Sequence, residues 1–187
     1  MDKKTFGIIL FVGVFLVVGG ATVLAFGNFN SGSDPVSAYK ASVAASDKEV
    51  EKHAQGVAAP NFTLPLLGGG TVSMADFRGK KPVVLAFWAS WCPNCRRDMP
   101  KMNAYYEKYK DKVAVVTINM QEDVKTVADF MAAGNLTLPV ALDAGSAAQT
   151  YGVQYTNTHI LIDKEGQIIN TVVGDIKEED FQLLVNL

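Results

Sequence analysis

Cysteine and histidine are scarce in this 187-residue chain, which contains two of each. Two cysteines are too few for a disulfide-stapled scaffold, but they suffice for one redox pair or for half of a metal site. No charge of one sign dominates either, since 17 Lys and Arg residues stand against 19 Asp and Glu residues and the formal net charge is −2. A near-neutral chain lacks the basic field that phosphate backbones require, so the composition argues against nucleic-acid binding.

The longest apolar run lies near the N-terminus, at residues 6–26, and contains no charged residue. As a helix it would measure about 31 Å, which matches the hydrocarbon core of a bilayer. Lys3 and Lys4 precede the run and the next basic residue is Lys40. The positive-inside rule therefore predicts a cytoplasmic N-terminus at residues 1–5, a single transmembrane anchor and an exported remainder. A cleaved signal peptide is the alternative, although the run exceeds the usual apolar length of such a peptide.

The chain changes in character twice after the apolar run. Residues 27–57 begin with small polar residues and continue with a weakly periodic, charged stretch, which predicts a linker or stalk. From residue 58 onward, apolar runs alternate with amphipathic segments, which is typical of a packed domain. Residues 58–187 therefore form the predicted globular domain, which is large enough for one hydrophobic core.

Strand-like and helix-like segments alternate in this domain. The patterns predict strands at 83–88, 113–120, 140–142, 158–163 and 167–173, and helices at 92–109, 122–133, 146–151 and 178–187. A short hairpin is expected around the glycines at residues 68–70. Four apolar residues mark the expected buried face of the helix at 122–133: Val124, Val127, Phe130 and Met131. Together these segments predict an α/β domain with a central mixed sheet flanked by helices.

The strong chemical motif is at residues 91–95 (Trp-Cys-Pro-Asn-Cys), where a buried strand turns into a helix. A thiol at a helix N-terminus meets unpaired backbone N–H groups and the positive end of the helix dipole, which favour the thiolate. We therefore predict that the pKa of the Cys92 thiol is lowered and that Cys92 is the attacking nucleophile. Cys95, three residues later, is placed to resolve the mixed disulfide. No organic cofactor is needed, because the Cys92–Cys95 disulfide is itself the redox centre.

Other uses of the two cysteines remain open. A structural disulfide between them would close a tiny loop and stabilise little. A zinc site would need two further ligands, and the chain offers only His53 and His159. The alternative function is accordingly an extracytoplasmic copper or zinc carrier that uses Cys92, Cys95 and His159. Under the leading interpretation no residue is assigned as a metal ligand.

Residues 87–100 (FWASWCPNCRRDMP) resemble the active-site stretch of the thioredoxin superfamily, and most closely that of its membrane-anchored, extracytoplasmic TlpA/ResA branch. The similarity continues at residues 59–64, 151–153 and 161–166 and covers residues 58–187. It implies a thioredoxin fold with an added N-terminal β-hairpin. It also implies that the protein is a membrane-tethered thiol–disulfide oxidoreductase. The expected reaction is the reduction of disulfides in cysteine-containing exported proteins, as in cytochrome c maturation. A membrane thiol–disulfide protein would then be the electron donor.

Two positions near the motif bear on the mechanism that the resemblance implies. Ala86 stands where many thioredoxins carry a buried acid, and Asp98 matches the acid that members of the TlpA/ResA branch often place just after the motif. Because Cys95 and Asp98 are i,i+3 neighbours on one helix, Asp98 is a candidate acceptor for the Cys95 proton. The alternative is an acid that only offsets the helix dipole.

Four residues are predicted to contact the substrate: Trp91, Pro93, Asn94 and Asn157. The first three flank Cys92 in the motif, and Asn157 occupies the position of a cis-proline that the family places opposite the cysteines. A cis peptide bond before a non-proline residue costs about 2.5–4 kcal/mol. We therefore expect the Thr156–Asn157 bond to be trans and the loop to be reshaped.

Overall fold

The structure is a computed structural model that describes residues 56–187, in which strands and helices alternate along the chain. In chain order the elements are β1 (Val57–Ala58), β2 (Thr63–Pro65), β3 (Thr71–Ser73), β4 (Val83–Trp88), α1 (Pro93–Tyr109), β5 (Ala114–Met120), α2 (Val124–Ala133), β6 (Val140–Asp143), α3 (Ser146–Thr150), β7 (Thr158–Ile162), β8 (Gln167–Val173) and α4 (Glu178–Val185).

Six strands form one sheet in the order β1-β8-β7-β4-β5-β6. The β4–β5 and β5–β6 pairs are parallel, whereas β4–β7, β7–β8 and β1–β8 are antiparallel, so the sheet is mixed as predicted. Strands β2 and β3 form a separate antiparallel pair with Leu64 opposite Val72.

Strand β4 lies in the middle of the large sheet, and all six of its residues are buried. Its side chains alternate between two hydrophobic clusters, with Ala86 and Trp88 in one and Leu85 and Phe87 in the other. A strand covered on both faces reads as a continuous apolar run, which is why this segment shows no alternation of polar and apolar residues. Because β4 is hydrogen-bonded on both sides, the loop that follows it starts from a rigid end.

Helices α1, α2 and α4 cover one face of the sheet, and α3 with the β2–β3 pair covers the other. The first layer contains Cys95, Met99, Met102, Val127, Met131, Phe181 and Leu184 from the three helices. The second layer contains Leu64, Val72, Ala147 and Ala148. The predicted central sheet flanked by helices is therefore confirmed.

One residue of the expected buried face of α2 is wrongly predicted. Val127 and Met131 are buried and Phe130 packs against the same cluster, but Val124 is 57% exposed. Val124 is the first residue of α2, directly after the N-cap Asp123. Because Cα–Cβ bonds tilt toward the N-terminus of a helix, a first-turn side chain projects beyond the turns that face the core.

The predictions for residues 1–5 and 6–26, and that for the linker before residue 56, lie outside the described part of the chain. Within residues 56–187, no helix combines the length and the apolar composition that crossing a bilayer requires.

Candidate active site

Cys92 and Cys95 lie at the N-terminus of α1, just beyond the end of β4, and are joined by a disulfide. Cys92 is the N-cap of the helix, and its Sγ accepts the backbone N–H of Cys95 at 3.1 Å. Pro93 occupies the first helical position, where no backbone N–H is needed. The strand-to-helix position that the sequence predicts for the cysteines is therefore confirmed.

The two sulfur-bearing residues differ in their access to solvent. Cys92 is 4% exposed, whereas Cys95 is completely buried. A macromolecular disulfide can therefore approach Cys92 but not Cys95. This asymmetry agrees with the predicted order, in which Cys92 attacks and Cys95 resolves.

The surface around Cys92 is accessible and presents both apolar and polar side chains. Trp91, Pro93 and Asn94 are all exposed, as residues that contact a substrate must be. Trp91 and Asn94 line a depression of about 620 Å³ that also includes Tyr155 and Val173. Trp91 is 66% exposed and Tyr155 is 67% exposed. Sequence reasoning missed Tyr155 and Val173, since nothing in their local pattern distinguishes them from ordinary loop and strand-end residues.

Asn157 forms the inner wall of this depression and is buried. No peptide bond in residues 56–187 is cis, so the Thr156–Asn157 bond is trans as expected. Asn157 has a φ of 61°, its N–H donates to the carbonyl of Phe87 at 2.9 Å, and its carbonyl accepts the N–H of Gly174 at 2.8 Å. The loop opposite the cysteines is thus held to β4 and to the end of β8 by its own backbone.

Glu122 anchors the loop that carries the motif, a role that the sequence does not reveal. Its carboxylate accepts the Ser90 backbone N–H at 2.7 Å, the Ser90 hydroxyl, and the side-chain amide of Asn119 at 2.7 Å. Ser90 lies two residues before Cys92, and Glu122 lies between β5 and α2. Glu122 thereby connects the ends of the parallel strands β4 and β5 next to the motif.

We expect Glu122→Ala to lower the free energy of unfolding of the oxidised protein by about 2–3 kcal/mol, because it leaves partly buried donors of Ser90 and Asn119 without an acceptor. Denaturant unfolding followed by Trp fluorescence measures this change. The matched control is Asp129→Ala, which removes the acid of an exposed Lys125–Asp129 pair on α2 and should leave stability nearly unchanged. Equal losses in the two variants would contradict the anchoring role.

Behind the disulfide, Asp98 and His159 form a buried pair. Asp98 lies one turn after Cys95 and is 1% exposed, and His159 on β7 is 2% exposed. Asp98 Oδ2 is 3.1 Å from His159 Nε2 and accepts the backbone N–H of Ile176 at 3.3 Å. In the β4–β7 register His159 is directly opposite Ala86, the position without an acid. An acid that served only the helix dipole would have no reason to be buried against an imidazole.

The structure does not favour the metal-carrier alternative. His159 is directed to Asp98, and Cys92 is bonded to Cys95. Among residues 56–187, no three His, Cys, Asp or Glu side chains are grouped in a way that could hold a metal ion.

Comparison with known proteins agrees with this site. The sequence model of the family described as Redoxin matches residues 54–185. The thiol-disulfide oxidoreductase ResA of Bacillus thuringiensis subsp. konkukian (strain 97-27) is 39% identical over 134 residues, which cover 71% of this chain and 77% of that protein.

Solved structures agree as well. StoA from Bacillus subtilis aligns with a TM-score of 0.59 and 28% identity, over 67% of this chain and 96% of that one. A secreted Mycobacterium tuberculosis disulfide oxidoreductase homologous to E. coli DsbE aligns with a TM-score of 0.58 and 26% identity, over 67% of this chain and 94% of that one. The chain therefore belongs to the redoxin family and is a thioredoxin-like thiol–disulfide oxidoreductase with the Cys92–Cys95 disulfide as its redox centre.

Proposed function

We propose that this oxidoreductase works as a reductase, which breaks disulfides in exported proteins while an N-terminal helix tethers it to the cytoplasmic membrane. The proposed tether is residues 6–26, supported by their uncharged apolar sequence and by the two lysines that precede them. The domain would then lie on the extracytoplasmic side and receive electrons from a membrane thiol–disulfide protein.

The reducing direction rests on one observation, which is that both arginines after the motif are directed to groups other than the Cys92 sulfur. Arg96 is directed to the Ser90 carbonyl at 3.5 Å. Arg97 donates to Asp175 at 2.7 Å and to Asn94 at 3.1 Å. Strong oxidants of this type stabilise their reduced, thiolate form. In this protein the helix N-terminus remains as the group that stabilises the Cys92 thiolate. The reduced form is therefore less favoured than in a strong oxidant, and it gives up its electrons more readily.

The proposed reaction begins with the reduced protein. The Cys92 thiolate attacks a substrate disulfide, one substrate thiolate leaves, and a mixed disulfide forms. Cys95 then transfers its proton to Asp98, and its thiolate attacks Cys92 Sγ. The Cys92–Cys95 disulfide forms, the second substrate thiolate leaves, and the proton held by Asp98 passes to a substrate thiolate, which becomes a thiol. Two electrons pass from the enzyme to the substrate, and no further oxidant or reductant enters the step.

The proposed substrates are polypeptides that present a disulfide on an accessible segment. The exposed rim made by Trp91, Tyr155 and Val173 suits the apolar surface of such a segment, and Asn94 and Asn157 supply amide groups beside it. Exported apocytochromes c are one fitting class, because haem attachment to a Cys-x-x-Cys-His segment requires reduced cysteines.

We expect the reduction potential to lie between about −270 and −200 mV, near the reducing end of the known range. Titration of the full chain against dithiothreitol and glutathione buffers measures it. A value near −120 mV, as in strong oxidants, would refute the reductase proposal.

A variant of the same titration tests the role of the arginines. Asp175→Asn weakens the hold on Arg97 and should move the potential toward the oxidising end by up to about 30 mV, which corresponds to tenfold in the equilibrium constant. Asp129→Asn is the matched control, because this acid belongs to the exposed ion pair on α2. It should leave the potential unchanged.

A further inference from the structure

Buried polar atoms without a hydrogen-bond partner are concentrated at one end of the sheet. Within residues 56–187 they belong to five side chains: Trp88, Asp98, Asn119, Asn157 and His159. The strand registers pair Trp88 with Asn119 and Ala86 with His159, beside the point where the motif follows β4. Folded proteins leave few such atoms, and each one calls for a structural or functional account.

His159 is the most conspicuous member of this group. Neither of its ring nitrogens makes a hydrogen bond, although the residue is almost completely buried. Nε2 lies at ion-pair distance from Asp98 Oδ2, but the ring is not aligned for a hydrogen bond with that oxygen. The other carboxylate oxygen, Asp98 Oδ1, also has no partner. The imidazole therefore contacts the carboxylate at ion-pair distance without a hydrogen bond.

Few other polar groups lie beside this pair. From α1 the neighbouring residue is Cys95, which becomes a thiol when the disulfide is reduced, and the loop after β8 contributes the backbone N–H of Ile176. The buried hydrophobic cluster on this side of the sheet includes Met99, Leu161 and Phe181. The nearby charged side chains, Arg97, Lys101 and Asp175, pair with one another at the surface. In the described part of the chain, His159 is the basic side chain within ion-pair distance of Asp98, and Arg97 attracts Asp98 from farther away.

We propose that His159 is a positioning residue for the resolving step, which faces the Asp98 carboxylate from β7 and holds it in place to accept the proton of Cys95. This inference rests on the proposed function, in which Asp98 is that acceptor. A buried carboxyl group is held in one orientation by the polar groups that face it. Without the imidazole, Asp98 would keep the Ile176 N–H as its polar contact, and its carboxylate would be less well placed to take the proton of Cys95.

The experiment separates the two cysteines by their kinetics. The reduced full-length protein is mixed with an aromatic disulfide reagent that releases a coloured thiolate. The first release reports the attack by Cys92, and the second reports the attack of Cys95 on the mixed disulfide. In His159→Asn we expect the ratio of second-phase to first-phase rate constants to fall at least about tenfold at neutral pH.

Two comparisons make the result specific. Asp98→Asn should lower the same ratio, and the double variant should be no slower than Asp98→Asn alone, because His159 acts through Asp98. Ile160→Val is the control for packing, since Ile160 is the next residue on β7 and faces the other layer. It should retain the ratio of the unmodified protein.

The outcomes are distinguishable. A ratio in His159→Asn equal to that in Ile160→Val overturns the role of His159, and so do multiplicative effects in the double variant. If Asp98→Asn leaves the ratio unchanged, the proposed role of Asp98 fails, and this inference fails with it. A strongly oxidising potential would refute the reductase direction without altering the ratio.

A second measurement avoids substitution of a buried residue. The chain contains two histidines, so the imidazole NMR signals of His159 can be assigned with His53 as the internal reference. We expect the His159 signals to move when the disulfide is reduced and the His53 signals to stay. His159 signals that do not move on reduction overturn the proposal even if the variants fail to fold.

Discussion

Cys92→Ser is expected to slow disulfide exchange at least about a thousandfold, because a serine hydroxyl is a far weaker nucleophile than a thiolate. Cys92 is the N-cap of α1, where its Sγ meets the Cys95 N–H, and it is the cysteine that retains access to solvent. Cys95→Ser is expected to stop the reaction one step later, because attack still occurs but the mixed disulfide cannot be resolved.

The two variants form a matched pair for identifying substrates. Each is expressed as the full chain, the thiols are blocked, and the membrane fraction is analysed without reductant. We expect mixed disulfides with exported proteins in Cys95→Ser and none in Cys92→Ser. Equal trapping by both variants would contradict the order of attack. Partners that are all cytoplasmic, or a protein absent from the membrane fraction, would contradict the proposed location.

Asn157→Pro is expected to lower the free energy of unfolding by about 3 kcal/mol or more, although the resemblance to the TlpA/ResA branch implies a proline at this position. The φ of Asn157 is 61°, whereas proline holds φ near −65°. Proline also lacks the N–H that Asn157 donates to Phe87. Both effects oppose the present shape of the loop.

The matched control is Asn157→Gly, which adopts a positive φ without strain and keeps the backbone N–H. We expect its stability to stay within about 1 kcal/mol of the unmodified protein. Denaturant unfolding of both variants, each in the oxidised form, provides the comparison. A proline variant as stable as the glycine variant would contradict the positive φ and the Phe87 hydrogen bond of Asn157.

Local patterns account for the parts of the fold that the sequence predicts well. The apolar run of β4 is typical of a strand that is buried on both faces. The start of α1 at Pro93 follows from helix capping. Both signals are contained in short stretches of neighbouring residues. Periodicity also predicts α2. It indicates which side of the helix faces the core, but it does not indicate which turns of the helix lie over the sheet. Val124 is wrongly placed for that reason.

The sequence by itself determined the chemistry of this protein, because a Cys-x-x-Cys pair at a strand-to-helix junction brings both thiols to one helix N-terminus through local geometry alone. Only the tertiary structure decided what surrounds that pair. The contacts of Glu122 with Ser90 and of His159 with Asp98 join residues on different elements. Such contacts depend on strand order and register, which follow from the packing of the whole sheet and not from any local pattern.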